Sequence, residues 1–197
     1  MDMPGKLPFY VKIHVHPIEM YGEEGYMRLF IAIPLEGAIK VSLLRLQEQW
    51  YQLGMRGRFI PPEKLHLTLA FIGEYGNPDD IMDAISAVSF QPFTIQLDGA
   101  GNFHDAYWAG IAPNESLVSC VRRIRHAFAE NKIPYDRKKF APHVTLVRKG
   151  DSPETMKKML MNLPVSTMEV SEISLMRSDR GKNGMIYTPI GILEADK

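Results

Sequence analysis

Two short segments of this sequence repeat one pattern, His66-Leu-Thr-Leu69 and His143-Val-Thr-Leu146. Alternate residues of a strand share a face. Read as strands, the segments present His66 beside Thr68 and His143 beside Thr145, with Leu67, Leu69, Val144 and Leu146 turned into a core. A single His-x-Thr strand is a weak signal, because four-residue patterns recur by chance and a lone strand histidine is more often structural. Two copies in matching halves of a 197-residue chain point to function. Imidazole titrates near neutrality, so one ring can give a proton while another takes one, each contributing about 10²–10⁴ in rate. Threonine hydroxyls can hold phosphoryl oxygens. This is equipment for opening a strained phosphodiester without a metal. A metal site would need a third ligand and groups that orient it. No carboxylate or histidine stands near either motif at conventional ligand spacing, so neither a metal nor another cofactor is expected. The near-symmetry of the motifs leaves open which histidine is the acid.

The elements that must position these segments read as an α+β chain in two similar halves. Residues 28–33 (RLFIAI) form a short apolar strand ended by Pro34. Residues 37–53 place Ile39, Leu43, Leu46, Trp50 and Leu53 at helical spacing. Gly54 and Gly57 then break the chain into a loop, and Pro61-Pro62 forces an extended lead into the strand at 66–72. A helix at 78–88 has Asn77 placed to cap it. A strand at 93–97 is followed by glycines (DGAGNF) that mark a turn. Next come a strand at 107–112, a helix at 114–131, a strand at 140–147, a helix at 153–162, and strands at 165–177 and 185–193. The order βαβαβ recurs, which puts the two His-x-Thr segments at matching positions on two lobes.

Composition sets outer bounds. The length suits one full-sized domain or two small lobes. Residues 1–26 lack a sustained period and read as an N-terminal extension, and residues 27–197 as one bilobal domain. The single cysteine, Cys120, excludes an internal disulfide and fits a reducing compartment. No apolar run approaches the roughly 20 residues of a membrane span, and the N-terminus lacks the apolar core of a signal peptide. A cytoplasmic location without membrane or obligate protein partner is expected. Net charge is zero, against a protein that coats nucleic acid by bulk charge. Residues 1–98 carry 8 Lys/Arg against 12 Asp/Glu, and 99–197 carry 15 against 11, which suits a compact anion held mainly by the second half.

The sequence resembles the LigT-like RNA 2′,3′-cyclic phosphodiesterases of the two-histidine phosphoesterase superfamily. The segments that carry the resemblance are MRLFIAIPL at 27–35, RFIPPEKLHLTLAFIGE at 58–74 and FAPHVTLVRKG at 140–150. It runs from Met27 to about Leu193. It implies a bilobal α+β fold with a pseudo-twofold axis, antiparallel-rich sheets lining a central groove, and the site in that groove. It implies hydrolysis of RNA 2′,3′-cyclic phosphate ends to 2′-phosphomonoesters. His66 would be the proton donor, His143 the proton acceptor, and Thr68, Thr145 and Arg148 would bind the phosphate. Some relatives carry out 2′–5′ RNA ligation. That reaction, hydrolysis of a small cyclic nucleotide, and RNA-end binding without turnover are the competing readings. The lead DRKKFAPH departs from the pattern, with Lys139 where an arginine is expected; lysine lacks the planar fork for bidentate phosphate contact.

Other residues carry a functional and a plain reading. Phe71 stands three residues after Thr68 and by alternation faces the core. Trp108 and Tyr187 could stack on a base, with burial in the sheet the favoured reading. Arg56 and Arg58 could line a groove or lie in a solvated loop. Arg137, Lys138 and Lys139 could guide an RNA backbone or be plain surface. Arg122, Arg123 and Arg125 read as the wet face of a helix. His14 and His16 form an HxH pair, and His104 and His126 show no partner.

Overall fold

The computed structural model describes residues 25–152, 165–182 and 184–196. Its strands are β1 (Met27–Pro34), β2 (Arg56–Phe59), β3 (His66–Tyr75), β4 (Phe93–Phe103), β5 (Ala106–Ile111), β6 (His143–Asp151), β7 (Thr167–Val170), β8 (Glu172–Gly181) and β9 (Gly184–Glu194). Its helices are α1 (Gly37–Gln52), α2 (Pro78–Ser86) and α3 (Glu115–Glu130). The helix expected at 153–162 and the His14/His16 pair lie outside the described residues.

The cap expected at Asn77 is present, and Asn114 caps α3 as well. Asn77 accepts from Asp79 N at 3.1 Å and Asn114 from Leu117 N at 2.8 Å, each satisfying a backbone donor at a helix start. The apolar stripes bury Ile39, Leu43, Leu46 and Trp50 on α1 and Leu117, Val121, Ile124 and Phe128 on α3. Arg125 is not on the wet face: its Nη1 donates to Lys138 O at 2.9 Å. His126 also finds a partner, Glu130 one turn on at 3.3 Å.

All pairings are antiparallel, in two sheets ordered β3-β1-β8-β9 and β2-β6-β5-β4-β7. The fold is α+β, and the matched order β3-β1-β8 against β6-β5-β4 is its pseudo-twofold. The halves are interlocked. The third strand of the first half, β4, sits in the second sheet, and its counterpart β8 sits in the first. One continuous core spans both sheets. α1 packs on β6 and β7, and α3 on β3 and β4. Among the described residues no helix is long and apolar enough to cross a membrane.

Three expectations change. The stretch 165–177 is not one strand. It divides at Ser171 into β7, on the edge of the second sheet, and β8, inside the first. The loop expected after Gly54 contains β2, which pairs with β6 across a register shift between Arg56 and Arg58. Gly57 is needed there: its φ is +140°, and a Cβ would stand 2.8 Å from Val147 Cγ1. The glycines of DGAGNF lie inside β4, where a bulge between Leu97 and Ala100 absorbs one extra residue. The turn comes later, at His104, whose φ is +53°.

Candidate active site

Each His-x-Thr-Leu segment forms part of a strand that bulges at its leucine. β1 pairs Ala32 with Thr68 and Ile31 with Ala70, so Leu69 has no partner of its own. β5 pairs Trp108 with Thr145 and Tyr107 with Val147, so Leu146 is the extra residue there. A bulge shifts the side-chain alternation by one. Leu69 and Ala70 are both buried, as are Leu146 and Val147. The residue five after each histidine, Phe71 or Arg148, is thereby returned to the histidine's face. This corrects the core placement expected for Phe71, which lines the groove with Arg28 stacked on it at 4.8 Å. Perfect alternation was the premise that failed.

The two imidazoles are held alike. His66 Nδ1 donates to Lys64 O at 2.8 Å and His143 Nδ1 to Ala141 O at 2.7 Å. A carbonyl only accepts, so each Nδ1 carries the hydrogen and each Nε2 is left free. The proline-rich leads make these contacts possible. They place the carbonyl two residues upstream under the ring, on the 3-10 turn Pro62–Lys64 in the first case.

Aromatic rings flank both histidines. His66 lies 5.1 Å from Phe30 and 5.2 Å from Tyr187, and His143 lies 5.2 Å from Phe103 and 6.1 Å from Trp108. Neither Trp108 nor Tyr187 is lost in the sheet as expected; both are half-buried beside an imidazole. Gly101 makes room for Trp108, since a Cβ there would stand 2.6 Å from the indole. Burial against these rings pushes the His66 imidazole below its usual value. The hydrogen bond to Lys64 opposes this, and the positive charges of Arg148 and of a protonated His143 add to it. The two histidines thus sense one another across the junction of β3 and β6.

A groove of about 980 Å³ runs along the first sheet from this point. His66, Thr68, Arg148, Arg58 and Tyr187 line it, with Tyr26 from the end of the expected extension. His143 and Thr145 are not part of that lining. Arg56 turns away, stacking on Tyr51 at 5.5 Å. The basic cluster that could guide RNA or be plain surface is also outside it: Arg137 stacks on Tyr135 at 5.8 Å and Lys138 pairs with Asp136 at 3.5 Å. Phe30, Phe103 and Arg177, near the site, were not singled out from sequence; period-two reading of β1, β4 and β8 offers their only signal. Among the described residues no three His, Cys, Asp or Glu side chains are disposed to hold a metal.

Residues 44–182 match the profile of the 2′–5′ RNA ligase superfamily. The chain belongs to this superfamily. Within it, the chain is similar to the RNA 2′,3′-cyclic phosphodiesterase of Methanothermobacter thermautotrophicus, 29% identical over 184 residues and covering 84% of this chain and 97% of that one. The protein of the same name from Escherichia coli is 28% identical over 168 residues, covering 83% and 93%. The crystal structure of E. coli LigT in apo form superposes with a TM-score of 0.73 at 24% identity, over 88% of this chain and 99% of that one. This superfamily member therefore shares the LigT fold.

Proposed function

We propose that this protein hydrolyses 2′,3′-cyclic phosphates at RNA ends to 2′-phosphomonoesters, with His66 and His143 as the acid–base pair and no metal. The observation that carries the reading is the pair of imidazoles with Nδ1 tied to a carbonyl and Nε2 free. The activity named for the relatives supports the substrate. In the reaction, His143 Nε2 takes a proton from water while the water oxygen bonds to phosphorus. The P–O3′ bond breaks, and the His66 imidazolium gives its Nε2 proton to O3′. O2′ stays on phosphorus. The Thr68 and Thr145 hydroxyls donate to the non-bridging oxygens and Arg148 balances their charge. Burial favours neutral His66 in the free protein; an anionic phosphate beside it favours the imidazolium, so substrate primes its own acid.

A second reading, 2′–5′ ligation, is favoured by the superfamily itself. A 5′-hydroxyl then replaces water as nucleophile, with the same proton transfers. The site of action we infer is the cytoplasm, consistent with Cys120, a thiol buried in the core and pushed up to about 11 by that burial.

The test is incubation of the purified chain, in EDTA, with a short RNA ending in a 2′,3′-cyclic phosphate. The expected product is the 2′-phosphate, with His66→Ala and His143→Ala each reducing turnover about 10²–10⁴-fold. Full activity in both variants, or loss on chelation, refutes the mechanism. Tight binding of the RNA end without conversion identifies a binding module instead.

A further inference from the structure

Arg58 on β2 and Arg148 on β6 stand directly opposite one another, and both line the groove. Like charges opposed across an antiparallel pair repel and weaken the ladder. Among the described residues neither has a carboxylate at ion-pair distance. Of the other groove arginines, Arg177 Nε binds Asp179 at 2.8 Å, and Arg28 stacks on Phe71 at 4.8 Å, opposite Glu74 in the register. The opposed pair therefore leaves positive charge in the groove for an anion to neutralise.

The two guanidinium groups serve different places. The charge of Arg148 is felt at His66. Arg58 instead reaches across to the first sheet, where its Nη1 lies 3.8 Å from the position of a Cβ on Gly184. Arg180 pairs with Met185, the neighbour of Gly184, and also lines the groove. Gly184 is three residues along β9 from Tyr187, the ring beside His66. At about 3.3 Å per residue that is roughly 10 Å.

We propose that Arg58 and Arg180 hold a second phosphate, the phosphodiester joining the terminal nucleotide to the one before it. The protein then selects an RNA strand end over a nucleoside 2′,3′-cyclic phosphate. This rests on the proposed reaction, with the cyclic phosphate held at the two histidines. Each guanidinium supplies paired N–H donors suited to phosphate oxygens. One comes from each sheet, so the subsite is assembled by the docking of the two lobes.

The test compares kcat/KM for adenosine 2′,3′-cyclic phosphate with that for a trinucleotide ending in the same group, in wild type, Arg58→Gln and Arg180→Gln. Wild type is expected to favour the trinucleotide at least about tenfold, the scale of one charge-assisted contact. In each variant that ratio falls toward one. The slope of log kcat/KM against log salt for the trinucleotide becomes shallower by about 0.7. A wild-type ratio near one, or a ratio unchanged in both variants, overturns the subsite. Misfolding lowers both rates together, so Arg58→Lys is measured alongside; it keeps the charge and should keep the salt slope. If wild type converts neither substrate, the proposed reaction fails, and binding of a trinucleotide with a 2′-phosphate end decides the subsite. Its salt slope must still fall in Arg58→Gln, and an unchanged slope overturns the subsite by itself.

Discussion

Phe71 and Arg148 occupy corresponding places on the two sheets, each five residues after a histidine and each turned to the groove by a one-residue bulge. The backbone is duplicated at these positions and the chemistry is not. One side carries a ring and the other a guanidinium, so an oxygen anion at the centre meets charge from the second sheet and apolar surface from the first. Removing the charge has two separable effects. Arg148→Gln is expected to lower kcat/KM for a cyclic phosphate by about tenfold or more, the cost of one charge-assisted hydrogen bond. It should also raise the pKa of His66, because the Arg148 charge holds that value down. Proton NMR titration of His66 in the variant reads the second effect without any substrate; an unmoved titration would show that the Arg148 charge does not act on the ring.

The lowered His66 value sets the pH dependence. In the free protein the imidazole titrates below about 6.5, its unfolded value. The profile of kcat/KM should be bell-shaped, and that of kcat should extend to higher pH on its alkaline side, since bound phosphate restores the proton. The stability consequence has a definite sign. The folded chain binds this proton more weakly than the unfolded chain, so the contribution is complete above about pH 6.5. It is lost as pH falls from there through the folded value. Denaturant melts of wild type and His66→Ala across that window check this: the wild type should lose stability on acidification that the variant keeps.

Gln47 holds the second bulge from behind. Its Nε2, on the buried face of α1, donates to Leu146 O at 2.8 Å and to Ile60 O at 2.9 Å. Gln47→Leu removes both donors while filling most of the space, and should cost about 1–3 kcal/mol in urea unfolding. Because Leu146 sets the phase of Arg148, kcat/KM should fall at a temperature where the variant is fully folded. A variant with normal rates would show that the bulge holds without the amide.

Gly101 and Trp108 meet where no side chain can be added. Gly101→Ala places a methyl group within 2.6 Å of the indole, which must move against Phe103 and His143. Overpacking of this kind costs about 1–3 kcal/mol. The expected signature is a lower kcat with a shifted His143 resonance, while His66, on the other sheet, keeps its own.

The amino-acid sequence by itself determined the local features. The helices α1, α2 and α3, the Asn77 cap of α2, the strands that carry His66 and His143, and the facing of His66 with Thr68 all follow from period and short-range hydrogen bonding, which act within a few residues. Recognition of the duplicated motif rests on the same local information. Only the tertiary structure decided the rest. The exchange of β4 and β8 between sheets depends on which strand edges meet across the core. The break at Ser171 exists because β7 and β8 serve different sheets. β2, mostly exposed and polar, has no apolar alternation to announce it and exists through its pairing with β6. The bulges at Leu69 and Leu146 reverse a strict alternation, and they are forced by register against β1 and β5, strands distant in sequence. That register brings Phe71, Arg148 and Arg58 to the groove, so the residues around the two histidines depend on pairing that no single segment encodes.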